Sequence, residues 1–269
     1  MKKILVPTDF TSLSDNALWY ACEMSDKIQS EIYLLTIQSL PASDDANMAI
    51  ELIRTIQEAS EEKLQLLKDK VNKRFPGVKI TTHFGFGIPS LTVKDYLESG
   101  EFDLVIMGSL GSTGIDRFLF GSVAEAISKH SPCPVMILHE NTSYKQLQKL
   151  AVAIDINYNF KESYNVIQRI IDFASGIGAN VKWFYINKKN KEPETEDIHF
   201  SIDNEKTIII ETINSENVES GIGTYCKKNN PDLLILLKRD YGLVEQLFHH
   251  SVFSEVLHQQ SLPIMVIHY

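Results

Sequence analysis

Two stretches of the chain repeat each other without a gap. Asp103-Leu-Val-Ile-Met107 matches Asp232-Leu-Leu-Ile-Leu236. Ser122-Val123 through Val135-Met-Ile-Leu-His139 matches Ser251-Val252 through Ile264-Met-Val-Ile-His268, with Pro134 falling on Pro263. Both pairs give one offset, 129 residues (232 − 103 and 251 − 122). Composition alone does not hold register over such a span, so the chain is expected to contain two copies of one structural plan. Further upstream, Val152 to Asp155 resembles Val6 to Asp9, and Trp183 to Asn187 resembles the second apolar run of the first copy. The offset differs there, which puts the change in connecting segments.

Within the first copy, short apolar runs alternate with helical periodicity. Lys3 to Thr8 and Glu31 to Gln38 are compact strands of the kind buried on both faces. Between them Ala17, Tyr20, Ala21, Met24 and Ile28 recur at helical spacing behind the N-cap candidates Thr11, Ser12 and Ser14, of which Ser12 forms the capping pattern Ser12-x-x-Asp15. Ile53, Ile56, Ser60, Leu64, Leu67 and Val71 form one helical stripe that ends at Phe75-Pro76-Gly77, the mark of a cover helix. Val78 to Phe84, Asp103 to Met107 and Val135 to His139 are the remaining strands, and Ser90 to Ser99 is a helix. Parallel strands need crossovers, so the alternation predicts an α/β fold: two similar open, mostly parallel five-stranded sheets with helices on both faces. Residues 1–140 and 149–269 are the expected units, with the polar stretch 141–148 as junction. The second copy lacks a counterpart of the long cover helix. Asn187 to Glu205, with little apolar periodicity, is expected to be an exposed loop.

Composition narrows the function. The 269 residues are 43% hydrophobic and 23% charged, as in ordinary globular proteins, and the net charge of −9 disfavours a nucleic-acid partner. Cys22, Cys133 and Cys226 show no CxxC pair and no metal spacing, so neither a disulfide framework nor a metal site is expected. Met1-Lys2-Lys3 is followed by only three apolar residues before Pro7, too few for a signal sequence, and no run approaches a membrane span. A cytoplasmic protein without membrane contact is the expectation.

The chemistry concentrates where the fourth strand ends. Met107-Gly108-Ser109-Leu110-Gly111-Ser112-Thr113-Gly114 is followed by Gly121-Ser122-Val123 at the start of a helix. Glycine lets backbone approach a ligand closely, and unpaired amides with the positive dipole end at a helix start favour an anion such as phosphate. The plainer reading, turn glycines and a helix-capping Ser122, stands beside it.

The spacing Gly108-x2-Gly111-x9-Gly121-Ser122, with Val6-Pro7-Thr8-Asp9-Phe10-Thr11 at the first strand end, resembles the nucleotide signature of the universal stress protein family. The whole chain is similar to a tandem member, two family units in one chain. The resemblance implies an adenine nucleotide alpha hydrolase-like fold and ATP, with or without Mg, at the carboxyl edge of the first sheet. Pro7, Thr8 and Asp9 would lie near base and ribose and Ile37 against adenine. Met107 and Gly108 would sit beneath the nucleotide, and Gly111, Gly121, Ser122 and Val123 would meet the triphosphate. It also implies two units packed about a pseudo-twofold axis by intrachain pairing of their last strands, and leaves a homodimer open. Asp9 reads equally as a turn acid and Ile37 as core. Leu110 and Ser112 stand where members often carry a basic residue.

In the second copy the offset sets Leu237 on Gly108, Asp240 on Gly111 and His250 on Gly121, so no family-type ATP site is expected there. His249 and His250 are adjacent and do not share a helix face, and Asp155 alone is no site. No P-loop, nucleophile elbow or Ser-His-acid set is present, so no catalytic residue is assigned and any ATP turnover would be slow. The expected function is an ATP-binding stress-response protein acting as a nucleotide sensor or switch. The alternative is a binder of another small ligand or a protein-interaction scaffold.

Overall fold

The structure, a computed structural model, describes residues 1–42, 44–109, 122–154, 164–188, 197–201, 207–238 and 262–268. The chain divides into two compact units, and among the described residues the boundary falls between Tyr144 and Lys145.

In the first unit the elements are β1 (Lys3–Pro7), α1 (Ser12–Ile28), β2 (Glu31–Gln38), α2 (Ala46–Arg74), β3 (Ile80–Phe86), α3 (Pro89–Gly100), β4 (Leu104–Gly108), α4 (Ser122–His130) and β5 (Val135–Leu138). Its strands pair in the order β3-β2-β1-β4-β5, all parallel. β1 lies at the centre, and its Ile4, Leu5 and Val6 are fully buried. This is why its sequence is continuously apolar rather than alternating. Tyr33, His83, Tyr96 and Phe102 fill the space beneath α3, with Tyr33 and His83 stacked at 5.7 Å. The segment after β5 folds back on α1: the Asn16 side-chain amide donates to the carbonyl of Thr142 at 2.9 Å, and Tyr144 packs edge-on against Tyr20.

The second unit contains β6 (Lys149–Ile154), α5 (Tyr164–Ile177), β7 (Asn180–Lys188), β8 (Ile198–Ser201), β9 (Thr207–Ser215), α6 (Val218–Asn229), β10 (Leu233–Lys238) and β11 (Ile264–His268). Its order is β11-β10-β6-β7-β9-β8, parallel except for β8, which pairs antiparallel to β9. Without β8 this is the arrangement of the first unit. Phe184 of β7 stacks on Tyr225 of α6 at 3.8 Å, seating that helix on the sheet.

Both units are therefore α/β with open, mostly parallel sheets. The register carries the repeat into three dimensions: Val105 pairs with Val135 and Gly108 with Leu138, just as Leu234 pairs with Ile264 and Leu237 with Ile267. Asp103 and Asp232 also do the same work. Asp103 Oδ2 accepts from the backbone N–H groups of Lys2 and Lys3 at 2.6 and 3.0 Å, and Asp232 Oδ2 from those of Gln148 and Lys149 at 3.0 and 2.9 Å. Each carboxylate binds the chain where the first strand of its unit begins.

Two expectations need correction. Asn187 to Glu205 is not all loop, because β7 extends to Lys188 and Ile198–Ser201 forms β8. Among the described residues that follow β7, a short strand lies along the outer edge of β9, where it occupies hydrogen-bonding groups an open edge would expose. The cover stripe on α2 is also shorter than its periodicity suggested. Only Ser60, Leu64, Leu67 and Val71 are buried, while Ile53 and Ile56 are half-buried.

Replacing Asp103 or Asp232 by Ala should cost about 1–3 kcal/mol each, since two backbone donors lose a charged acceptor. Amide exchange should accelerate at Lys2 and Lys3 in the first variant and at Gln148 and Lys149 in the second. Exchange unchanged in either would remove the parallel drawn between the two carboxylates.

Candidate functional site

In the first unit, chain order and sheet order diverge on either side of β1. The crossovers through α1 and α2 carry the chain outward to β2 and β3, and the crossover through α3 returns it to β4 on the other flank of β1. The carboxyl ends of β1 and β4 therefore lie where the strand order reverses, the position of the ligand crevice in such sheets. Pro7 ends β1, Ile37 is the penultimate residue of β2, and Met107 and Gly108 end β4. Three neighbouring strands thus bring these expected site residues to one edge. Ser122 and Val123 open α4, with Ser122 exposed. Gly111 and Gly121, with Leu110 and Ser112 to Gly114, lie outside the described residues. So do Asp155, Asp240, His249, His250 and Ser251 of the second unit.

The turn from β1 into α1 is tightly built. The Thr8 N–H donates to the Leu35 carbonyl at 2.8 Å, holding β1 against β2, and the Thr8 hydroxyl receives the Phe10 N–H at 3.0 Å. Asp9 is exposed, and its Oδ1 accepts from the N–H and hydroxyl of Thr11 at 3.1 and 2.6 Å. Thr11 in turn caps α1 by accepting from the Ser14 N–H at 3.3 Å. Asp9 is accordingly a turn acid in this structure, and the same placement presents it at the crevice. Between these residues Phe10 takes a left-handed backbone conformation, φ 64°, which is strained for a bulky side chain. Its ring is held from outside by the Lys63 ammonium of α2, 5.2 Å from the centroid. Burial raises the pKa of the nearby Asp15 carboxyl, Lys70 opposes the rise and Asp9 adds to it.

Gly108 has a second explanation. A Cβ there would lie 2.5 Å from Cγ of Leu13 and 2.9 Å from its Cδ2, so the first turn of α1 uses the space that the glycine leaves. Leu13 was not singled out from sequence, because an apolar residue in a helix's first turn carries no periodic signal. Phe10 and Lys63 were missed for a related reason: a left-handed φ at a bulky residue and a contact between distant elements leave no local pattern. Ile37 is half-buried and packs against the site of Gly85, where a Cβ would approach its Cδ1 to 3.0 Å.

The family profile described as universal stress protein family matches residues 1–139. The chain belongs to the universal stress protein family. Among similar members, universal stress protein MJ0531 of Methanocaldococcus jannaschii is 32% identical over 143 residues, 51% of this chain and 81% of that protein. Universal stress protein YxiE of Bacillus subtilis is 26% identical over 146 residues, 51% of this chain and 97% of its own. Among solved structures, a universal stress protein from Archaeoglobus fulgidus matches with a TM-score of 0.66 at 19% identity, covering 99% of this chain and 96% of that one. At that identity the likeness speaks for the fold, and it extends over the second unit, where the family profile does not match.

In this universal stress protein Gly108→Ala should destabilise the first unit by about 1–3 kcal/mol through overpacking against Leu13. In a Leu13→Ala background the same change should cost markedly less in urea denaturation. An equal cost in both backgrounds would mean that the glycine is needed for something other than room for Leu13.

Proposed function

We propose that this universal stress protein binds ATP, with or without Mg, at one competent site in its first unit and acts as a nucleotide-responsive switch in the cytoplasm. The observation that carries the reading is the position of the signature. Gly108-x2-Gly111-x9-Gly121-Ser122 begins at the carboxyl end of β4, beside the point where sheet order reverses. In the second unit the residue in register with Gly108 is the buried Leu237.

The residues present fit such a ligand. Asp9 is exposed at the end of β1, Pro7 and Thr8 frame its turn, and Ile37 and Met107 offer apolar contact to a base. Ser122 and Val123 would meet the phosphates with the amides at the start of α4, a nine-residue helix, together with Gly111 and Gly121. ATP would supply the anionic triphosphate and the adenine ring. The chain would supply backbone donors, a carboxylate near the ribose and exclusion by shape. No group is assigned to attack a phosphate, so binding rather than turnover is the proposed output.

A scaffold or other small-ligand binder is the second reading. It is favoured by Leu13, which gives Gly108 a role without any nucleotide, and by Leu110 and Ser112 in place of basic residues.

Calorimetric titration with ATP should give one site per chain, and ATP at 100 times its Kd should stabilise the first unit by about 2.7 kcal/mol. Gly121→Leu should abolish both effects, while Leu237→Gly should create no second site. Two equivalent sites, or binding indifferent to Gly121→Leu, would overturn the reading. No heat and no thermal shift at millimolar ATP would favour the scaffold.

A further inference from the structure

Helix α2 is longer than the sheet it covers. Its 29 residues span about 43 Å at 1.5 Å per residue, whereas strands of five to eight residues reach about 17–27 Å. Its buried residues run only from Ser60 to Val71, and Lys63 lies beside Phe10 at the carboxyl end of β1. The first 14 residues, 46–59, about 21 Å of helix, therefore hold no fully buried side chain, and only Ala49, Ile53 and Ile56 among them are half-buried.

That arm does not become polar where burial stops. At 100° per residue, Met48, Leu52, Ile56, Ala49 and Ile53 occupy an arc of about 140°, and Ile50 lies about 60° beyond it, across Gln57. One side of the arc coincides with the direction in which Ser60, Leu64, Leu67 and Val71 face the core, and the rest turns away from it. Met48 is 60% and Ile50 66% exposed. The neighbouring connections add to the surface. Leu40, just after β2, is 62% exposed, and Ile88 and Leu91, at the start of α3, are 62% and 57% exposed. The two connections are tied together by the Gly87 N–H donating to the Gln38 carbonyl at 2.9 Å. Most of the large apolar side chains exposed in the described part of this unit thus gather on one rim, a concentration that marks an interaction surface.

The charges around the arc select the occupant. Between residues 44 and 63 stand Asp44, Asp45, Glu51, Glu58, Glu61 and Glu62 against Arg54 and Lys63, a net formal charge of −4. Arg54 already pairs with Glu58 at 3.6 Å, and Lys63 lies over Phe10. On α3, Lys94 pairs with Glu98 at 3.6 Å, next to Asp95. A second copy of the chain would set this acidic border against its own image, and anionic lipid would be repelled. The geometry points to a protein partner presenting an amphipathic helix, apolar on one face and flanked by Lys and Arg, laid along the α2 arm and the β3–α3 turn.

The test uses the full chain and a fluorescein-labelled synthetic helix of about 18 residues, five turns, with leucines at helical spacing and lysines elsewhere. Anisotropy should show saturable binding that weakens as salt is raised. Peptides with serine in place of leucine, or glutamate in place of lysine, should bind at least about tenfold more weakly. The double variant Ile50→Ser, Leu91→Ser should lose about tenfold or more, whereas Leu66→Ser, an exposed site farther along α2, should stay within about twofold. All three positions are exposed, so unchanged thermal melts will separate lost docking from lost folding. Failure of the leucine–lysine peptide to bind, or binding equal in the double variant, overturns the proposal. So does equal binding of the serine–lysine peptide. Cosedimentation with phosphatidylglycerol vesicles that the double variant abolishes would assign the surface to a membrane instead. A dimer in sedimentation velocity lost in the same variant would assign it to a second copy.

Discussion

Parallel neighbours cannot be joined by a tight hairpin, and most of what is distinctive about this chain follows from that. Each strand must be left at its carboxyl end, crossed over by a helix and re-entered at the amino end. With β1 central and its neighbours β2 and β4 reached by crossovers on opposite sides, the connections at one edge of the sheet have to diverge. Pro7, Thr8, Asp9, Ile37, Met107 and Gly108 come together because their strands stop at that edge. Their proximity is a result of topology before it is a result of any ligand.

The two units show which parts of this plan tolerate change. The fourth and fifth strands keep both register and the 129-residue offset, down to an aspartate that binds the backbone entering the first strand. The region between the second and third strands has changed wholesale, from a 29-residue helix to a short antiparallel strand. The contrast follows from position. β4 and β10 are sandwiched between neighbours and buried, so a slip there would disturb two ladders at once. The crossover to β3 or β9 lies at the periphery, where replacing a helix alters only one face and one edge.

The framework was legible in the sequence because buried strands and amphipathic helices leave periodic marks. Continuous apolar runs identified the strands of the first unit to within a few residues, and the repeat located β6, β7, β10 and β11 of the second but not β9, which has no gap-free match in the first unit. The four residues of β8 could not be seen in this way, since Ile198-His199-Phe200-Ser201 is too short to establish a period and its pairing with β9 is settled by an edge that needs a partner. The extent of α2's cover could not be seen either. Its apolar arc runs the whole length of the helix, and only the dimensions of the sheet beneath reveal where burial stops. At the site, residues announced by glycine spacing and strand ends were readable, whereas Leu13, Phe10 and Lys63 act through contacts between separate elements.

Gly108 illustrates how a motif position can satisfy two demands at once. Its missing Cβ makes room for Leu13, and that demand would persist if no ligand ever bound. Retention of this glycine is therefore weak evidence for nucleotide binding, and the weight of the signature shifts to Gly111 and Gly121. Leu237 in the second unit supports the same reasoning from the other side. It occupies the matching register beside Ile267 and is 3% exposed, so a full leucine side chain is accommodated where the first unit admits none. The same position therefore carries a glycine that leaves room for Leu13 in one unit and a buried leucine in the other, and packing alone is enough to account for the difference.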